Sequence, residues 1–331
     1  MSWVGTVLCV GLLLSPAAAR AGEGFDVIVL GALGGLQDGN LSSYLIRPHG
    51  ASAAIACDAG SLVNGLRVAQ EKGAFAGVSV PANATDSVVG HVLRNHIKGY
   101  LISHPHLDHV AGLVIASPDD SAKTIYGLPS VTAGIEQTYF NWAAWPNMLD
   151  RGKPPQLKKY HVQDLRPGES TPLSGTAMTV TAFPLRHGGT ESTAFLVESG
   201  GDAILCLGDT GPDEVEKATN LHDMWTAIAD KVRQKRLKAV IMEVSYTNDR
   251  PDAQLFGHLT PNWLLRSLRG LDQAAGAGAG ALKGLPVVVS HIKYSLDREQ
   301  PQAVIRRELE SGNDLGLAFV IPEQGASFHF R

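Results

Sequence analysis

The sequence predicts an α/β fold of two layered sheets with helices on their outer sides. Two observations point there. Short apolar runs of strand type alternate coarsely with helical patterns in both halves of the chain, with no repeat of solenoid length. The 331 residues are 44% hydrophobic and 18% charged, a globular composition that excludes disorder and collagen-like order as the main state.

At the amino end, VGTVLCVGLLL (residues 4–14) is too short for a bilayer, which needs about 20 apolar residues. Ser15, Pro16 and AAARAG follow it, giving the apolar core and small-residue tail of a secretory leader, although MSW supplies no Lys or Arg. Cleavage after Ala19 or Ala21 is expected. The reading is therefore a signal peptide over 1–21, one domain over 22–331, and a secreted, periplasmic mature protein.

FDVIVLG, SYLIRP and AAIACDAG (residues 25–31, 43–48 and 53–60) read as buried strands split by Gly and polar turns. Gly31, Gly34 and Gly35 lack the spacing of a dinucleotide fingerprint and precede a strand, so they are read as a turn. Residues 62–70 and 86–96 look helical, and GYLISH (99–104) is a strand entering a His-rich loop. Further strands are expected at 178–184, 193–198, 203–207, 238–244, 286–290, 317–321 and 326–331. Helices are expected at 223–236, 260–271 and 301–311, and GAGAGALKG (276–284) reads as a flexible loop.

The formal charge is −4 and no long Lys/Arg run exists, so no polymeric nucleic acid is expected as a partner. Of three cysteines, Cys9 lies in the leader. Cys57 and Cys206 sit in apolar stretches and are read as buried thiols, their pairing left open. There is no CxxC pair, so any metal must be held by His and carboxylates.

Those residues cluster. SHPHLDHVAG places His104, His106, Asp108 and His109 within six residues. An extended turn projects His104 and His106 the same way, while Asp108 and His109 enter a first helical turn and face another point. One ion cannot easily use all four donors; two ions can, each with help from distant segments. Candidates for that help are His187 (LRHGG), Asp209 (LCLGDTG) and His291 (SHIKYS), near the ends of predicted strands, where sites form in α/β folds. Imidazoles with carboxylates suit Zn²⁺, with Mn²⁺ or Fe²⁺ open.

HxHxDH followed by an isolated His, an isolated Asp and a late His resembles the metallo-β-lactamase superfamily. HPHLDHVAGLVIASP (104–118) more specifically resembles the signature of class II cyclic-nucleotide phosphodiesterases, as do NLSSYLI, NWAAWPN, FGHLTP and SHIK elsewhere in the chain. The resemblance implies a four-layer αββα metallo-β-lactamase-like sandwich and two divalent ions, most simply Zn²⁺. It gives His104, His106 and His187 to the first ion, and Asp108, His109 and His291 to the second. Asp209 then bridges both, reducing the repulsion between like cations. It also implies hydrolysis of 3′,5′-cyclic nucleotides, cAMP or cGMP, to nucleoside 5′-monophosphates. Asp209 falls where true β-lactamases of the superfamily carry Cys or His, which argues against antibiotic hydrolysis.

His258 (FGHLTP) is needed by neither ion. By likeness to the tRNA-processing members it is the general acid, held by Glu243 (IMEVSY), because a carboxylate raises and orients an imidazole. Asp108, His258 and Glu243 are thus the expected catalytic side chains. Lys293 is expected on the phosphate, sharing a side with His291 if that segment is extended. Asn141 and Trp142, in the densest aromatic stretch, are expected at the base. Other branches with the same core, a nuclease, lactonase or thioesterase, are the enzymatic alternatives; a periplasmic metal- or nucleotide-binding protein is the non-catalytic one. No membrane partner is expected of the mature form.

Overall fold

The computed structural model describes Met1 and residues 23–276 and 280–331. The proposed leader and Cys9 lie outside the described residues, as does part of the Gly/Ala-rich loop. Two seven-stranded sheets make up the frame. The first runs, edge to edge, Ser327–Phe330, Phe25–Gly31, Ser43–Pro48, Ala54–Cys57, Ile97–Leu101, Lys123–Gly127 and Tyr160–Asp164. The second runs Ala318–Val320, Pro286–Ser290, Leu237–Glu243, Asp202–Leu207, Thr190–Ser199, Thr179–His187 and Ser170–Pro172. The final strand returns to pair antiparallel with the first, Phe25 opposite Phe330.

Period-two alternation divides each strand of the second sheet between two cores. Ile204, Cys206, Ala239, Ile241 and Val288 pack toward the first sheet. Leu205, Val240, Met242, Val287 and Val289 face the opposite way, onto helices Asn220–Arg233, Pro261–Ala275 and Pro301–Ser311. On the first sheet, helices Val63–Glu71, Leu107–Ala116 and Pro129–Thr138 bury Leu66, Leu113 and Ile135 in the same core as the sheet residues. The expected order of helices, sheet, sheet, helices is therefore present. Ala239 and Ile241 face the other sheet, so by alternation Glu243 ends on that inner side.

Cys57 and Cys206 are bonded rather than free thiols, with Cα atoms 6.8 Å apart. The bond joins the middle of one sheet to the middle of the other, each cysteine adjoining a loop of the site. Strands Lys123–Gly127 and Tyr160–Asp164 and helix Pro129–Thr138 were not anticipated. The expected helix over 86–96 is split, an α-turn at Val88–His91 passing into a π-turn at Val92–His96. Of the three glycines read as a turn, Gly34 belongs to a two-residue strand, Leu33–Gly34, parallel to Ile292–Lys293. Only Gly35, at φ +74°, turns the chain there with a left-handed backbone. Among the described residues no helix is long and apolar enough to cross a membrane.

Candidate active site

The parallel strands of both sheets end on one side, and the ligand-type residues collect there. His104 follows Ile97–Leu101; His106 stands at the cap of Leu107–Ala116, which places Asp108 and His109 in that helix's first turn as expected. His187 ends Thr179–His187, Asp209 follows Asp202–Leu207, and His291 follows Pro286–Ser290 with a left-handed backbone, φ +55°. The sheet-end packing leaves no room at Gly34, where a Cβ would fall 2.3 Å from the His291 ring.

The side chains meet in two clusters. His106 Nδ1 lies 3.0 Å from His104 Nε2 and 3.2 Å from His187 Nε2. His291 Nε2 lies 3.1 Å from Asp108 Oδ2, and His109 Nε2 lies 4.0 Å from Asp108 Oδ1. Asp209 stands between the two clusters. Its Oδ2 is 3.8 Å from both His104 and His187 and 3.2 Å from His291, while Oδ1 is 3.3 Å from His109. All seven residues expected from the sequence are thus in one place.

Protonation suits cation binding at His104, His187 and the two aspartates, whereas at His109 the Asp209 and Asp58 carboxylates overcome burial and raise the imidazole well above its ordinary range, so a cation must displace its proton. Burial, followed by the His109 imidazole, holds His104 well below the ordinary imidazole range, and burial lowers His187 to about 4. Both present lone pairs at neutral pH. Burial opposes ionisation of Asp209, but the imidazoles of His291 and His109 prevail and hold it well below the carboxylate range. Asp108 is likewise held down, chiefly by its hydrogen bond with His291. The buried His109 Nε2 has no hydrogen-bond partner and faces Asp209. An orphaned buried nitrogen is costly. Its direction, with the surrounding imidazole and carboxylate donors, fits divalent metal ions.

Four of the five imidazoles are steered by their other nitrogen, which fixes tautomer and ring plane. Asp58 Oδ2 lies 2.7 Å from His109 Nδ1, and its carboxylate also accepts the backbone N–H and hydroxyl of Ser103. The Ser103 hydroxyl is 3.0 Å from His104 Nδ1, and Ser245 Oγ is 3.0 Å from His291 Nδ1. The Gly257 carbonyl lies 2.7 Å from His187 Nδ1. A Cβ at Gly257 would come within 2.2 Å of the Gly188 nitrogen, so that close approach requires glycine, which also adopts φ +80° there. The backbone N–H of Gly35 donates to Asp108. None of these steering groups was singled out in the sequence. Only Asp58, an acid at the end of an apolar strand, left a trace that strand-end reasoning could have caught.

His258 is buried beside the clusters, its ring stacked at 5.3 Å on that of His291. Its Nδ1 is 2.8 Å from Glu243 Oε1 and 3.7 Å from Asp209 Oδ2. Glu243 therefore takes the nitrogen that faces the clusters. Glu243 is itself only 1% exposed, and also accepts from the Thr210 N–H and the Ser245 hydroxyl. Burial alone would lower the His258 pKa; the Glu243 carboxylate overrides it and raises the value. Thr260 occupies the N-cap position of Pro261–Ala275 but makes no side-chain capping bond.

Two expectations are corrected. Asn141 donates its amide N–H groups to the carbonyls of Gln137 and Thr138, and its oxygen accepts from Ala143 and Ala144. It is spent on its own loop and has nothing left for a base. Trp142 donates its indole N–H to the Pro155 carbonyl, which leaves the ring face of this 40% exposed residue open for stacking. His291 is not extended, so the alternation invoked to align it with Lys293 fails. Lys293 is instead placed by the short strand Ile292–Lys293 beside Gly35, and its positive charge opposes protonation of His258.

Residues 25–325 match the family model for class-II cAMP phosphodiesterases. A 3′,5′-cyclic-nucleotide phosphodiesterase of Aliivibrio fischeri is 49% identical, over 95% of this chain and 94% of that protein. A probable 3′,5′-cyclic-nucleotide phosphodiesterase of Yersinia pestis is 44% identical, over 99% and 94%. Among solved structures, unliganded yeast PDE1 superposes with a TM-score of 0.81 at 24% identity, covering 94% of this chain and all of that one. The metallo-β-lactamase fold protein YhfI of Bacillus subtilis superposes at 0.60 with 15% identity, over 93% and 100%.

Proposed function

The chain belongs to the class-II cAMP phosphodiesterase family, and on that premise we propose that it hydrolyses 3′,5′-cyclic nucleotides to nucleoside 5′-monophosphates. The observation that carries the reading is the family match over 25–325, which includes every residue of the two clusters around Asp209 and the His258–Glu243 pair. In this reading His104, His106 and His187 hold one divalent ion, Asp108, His109 and His291 a second, and Asp209 serves both, with zinc the first candidate. Bound there, the ions neutralise phosphate charge and acidify the attacking water.

The chain's own groups do the rest. The oxygen of water bonds to phosphorus in line with the 3′ oxygen, the phosphorus–O3′ bond breaks, and a proton of that water passes to solvent, from which His258 is later reprotonated. Protonated His258 gives its Nε2 proton to that departing oxygen, while Glu243 keeps Nδ1–H engaged and stabilises the cation before transfer. Lys293 adds a positive charge near the phosphate. Asp58, Ser103, Ser245 and the Gly257 carbonyl keep four of the five imidazoles from rotating.

Incubation with cyclic AMP or cyclic GMP, followed by chromatography, tests the reading. The 5′-monophosphate should accumulate; a 3′-monophosphate, or an unchanged substrate with metal-loaded protein, contradicts it. We also propose that 1–21 is a signal peptide and that the mature protein works in the periplasm. The Cys57–Cys206 bond supports an oxidising compartment. Amino-terminal sequencing of protein from a periplasmic extract should begin at residue 20 or 22, and a mature chain retaining Met1 would contradict removal.

A further inference from the structure

Two cavities adjoin the site, and they differ in the side chains that line them. One, of about 640 Å³, is bordered by Asp108, Leu36, Val63, Leu107 and Ile115 and has no Lys or Arg in its lining. It offers neither an aromatic ring nor a guanidinium on which a flat base could stack. The other, of about 900 Å³, starts at Ser245 and Lys293 and extends past Tyr246, Arg250 and Tyr294 to Arg307, with Asp249, Asp297, Glu299 and Glu308 also in its lining. Ser245 is the residue that steers His291, and the Tyr246 ring lies 5.8 Å from the His258 ring, so this cavity lies next to the reacting groups.

Tyr246 and Arg250 of its wall form a stack that continues to Phe256 outside the lining. The Arg250 guanidinium lies 4.5 Å from the centre of the Tyr246 ring and 5.7 Å from that of Phe256. The Arg250 Nε donates to the Gln254 carbonyl, and the guanidinium pairs with no carboxylate among the described residues. Phe256 is 65% exposed and holds a left-handed backbone, φ +52°, unusual for a bulky residue. It is tied to the centre through Gly257, whose carbonyl steers His187. An exposed aromatic ring kept in a strained conformation two residues from His258 calls for a purpose beyond packing, which the ring hardly shares in.

The geometry points to Tyr246, Arg250 and Phe256 as the platform that receives the nucleobase, with the nucleoside lying in the cavity between Lys293 and Arg307. The inference rests on the proposed hydrolysis of cyclic nucleotides and places the base elsewhere than the Asn141–Trp142 stretch expected from sequence. A flat heterocycle stacks on aromatic rings and on a guanidinium plane alike, with little regard to which base it is. The platform therefore predicts that cyclic AMP and cyclic GMP are both accepted.

The test compares Phe256→Ala, Arg250→Ala and Arg250→Lys with the natural protein on two substrates, cyclic AMP and an abasic 3′,5′-cyclic ribose phosphate. Calorimetric titration with adenosine 5′-monophosphate gives a second readout. Each alanine variant should lower the ratio of kcat/KM for cyclic AMP to that for the abasic diester about tenfold, chiefly through KM, and weaken nucleotide binding by a similar factor. Arg250→Lys keeps the charge without the plane and should recover only part of the loss. An unchanged ratio with unchanged nucleotide affinity, or an equal fall on both substrates, would overturn the platform. Absence of turnover by the natural protein would refute the reaction alone, and the calorimetric arm would still decide the subsite.

Discussion

The two clusters that meet at Asp209 are built from different materials. His104, His106 and His187 are all imidazoles, and His104 and His187 are steered by neutral groups, the Ser103 hydroxyl and the Gly257 carbonyl. Asp108, His109 and His291 include a carboxylate, and a second one, Asp58, steers His109. The first cluster depends on lone pairs kept free by burial. The second depends on charge, and there burial is overcome: Asp209 and Asp58 raise His109 well above the ordinary imidazole range. A proton therefore competes with a cation more strongly at the second cluster. The difference teaches that one fold edge can offer two cation sites of unequal charge, coupled through the carboxylate they share and through Ser103, which joins His104 to Asp58.

Removing that carboxylate is the strongest way to break the comparison. Asp209→Ala should cut kcat/KM for cyclic AMP by about a thousandfold and lower metal content at both clusters together. Retention of full metal content, measured by elemental analysis, would show that the clusters do not need it. His258→Ala should lower kcat about a hundredfold or more with metal content unchanged, because this residue steers no ligand. A fall in metal content would instead make His258 a ligand.

Asp58→Asn sharpens the contrast. It should weaken cation affinity 10- to 100-fold at the charged cluster, an order of magnitude drawn from such steering groups, and leave the imidazole cluster loaded. Competitive chelator titration distinguishes one weakened site from two. Replacing both Cys57 and Cys206 by Ser removes the tie between the sheets that carry the clusters. Closing a loop of 149 residues suggests a loss of about 3–5 kcal/mol, read from denaturant midpoints. Asn141→Ala should do least: KM for cyclic AMP unchanged, with stability down by about 1 kcal/mol through its lost loop bonds.

The metal-type donors were legible because histidine and aspartate at strand ends are chemically conspicuous, and HxHxDH compresses four of them into one turn. The strands of the second sheet were legible for a similar reason: VVVS and AILCL leave few alternatives to a buried strand. Lys123–Gly127 and Tyr160–Asp164 escaped notice because KTIYG and YHVQD look half polar. Lys123 is nevertheless buried, neutralised by Asp120, which also accepts from Tyr100 and Tyr160. Ser103, Ser245 and Gly257 were illegible because such residues are ordinary in any turn, and only the tertiary fold brings them to an imidazole. Asn141 misled for the opposite reason. An amide beside aromatic residues looks like a base reader, yet local backbone satisfied it first. Tyr246, Arg250 and Phe256 are spread over eleven residues of unremarkable loop, and their stacking exists only in three dimensions.

Anomalous scattering from crystals of the metal-saturated protein tests the paired-cluster account most directly. Two peaks per chain are predicted, one beside His104, His106 and His187 and one beside Asp108, His109 and His291, with Asp209 between them. A single peak at full saturation, or a peak that excludes Asp209, would contradict it.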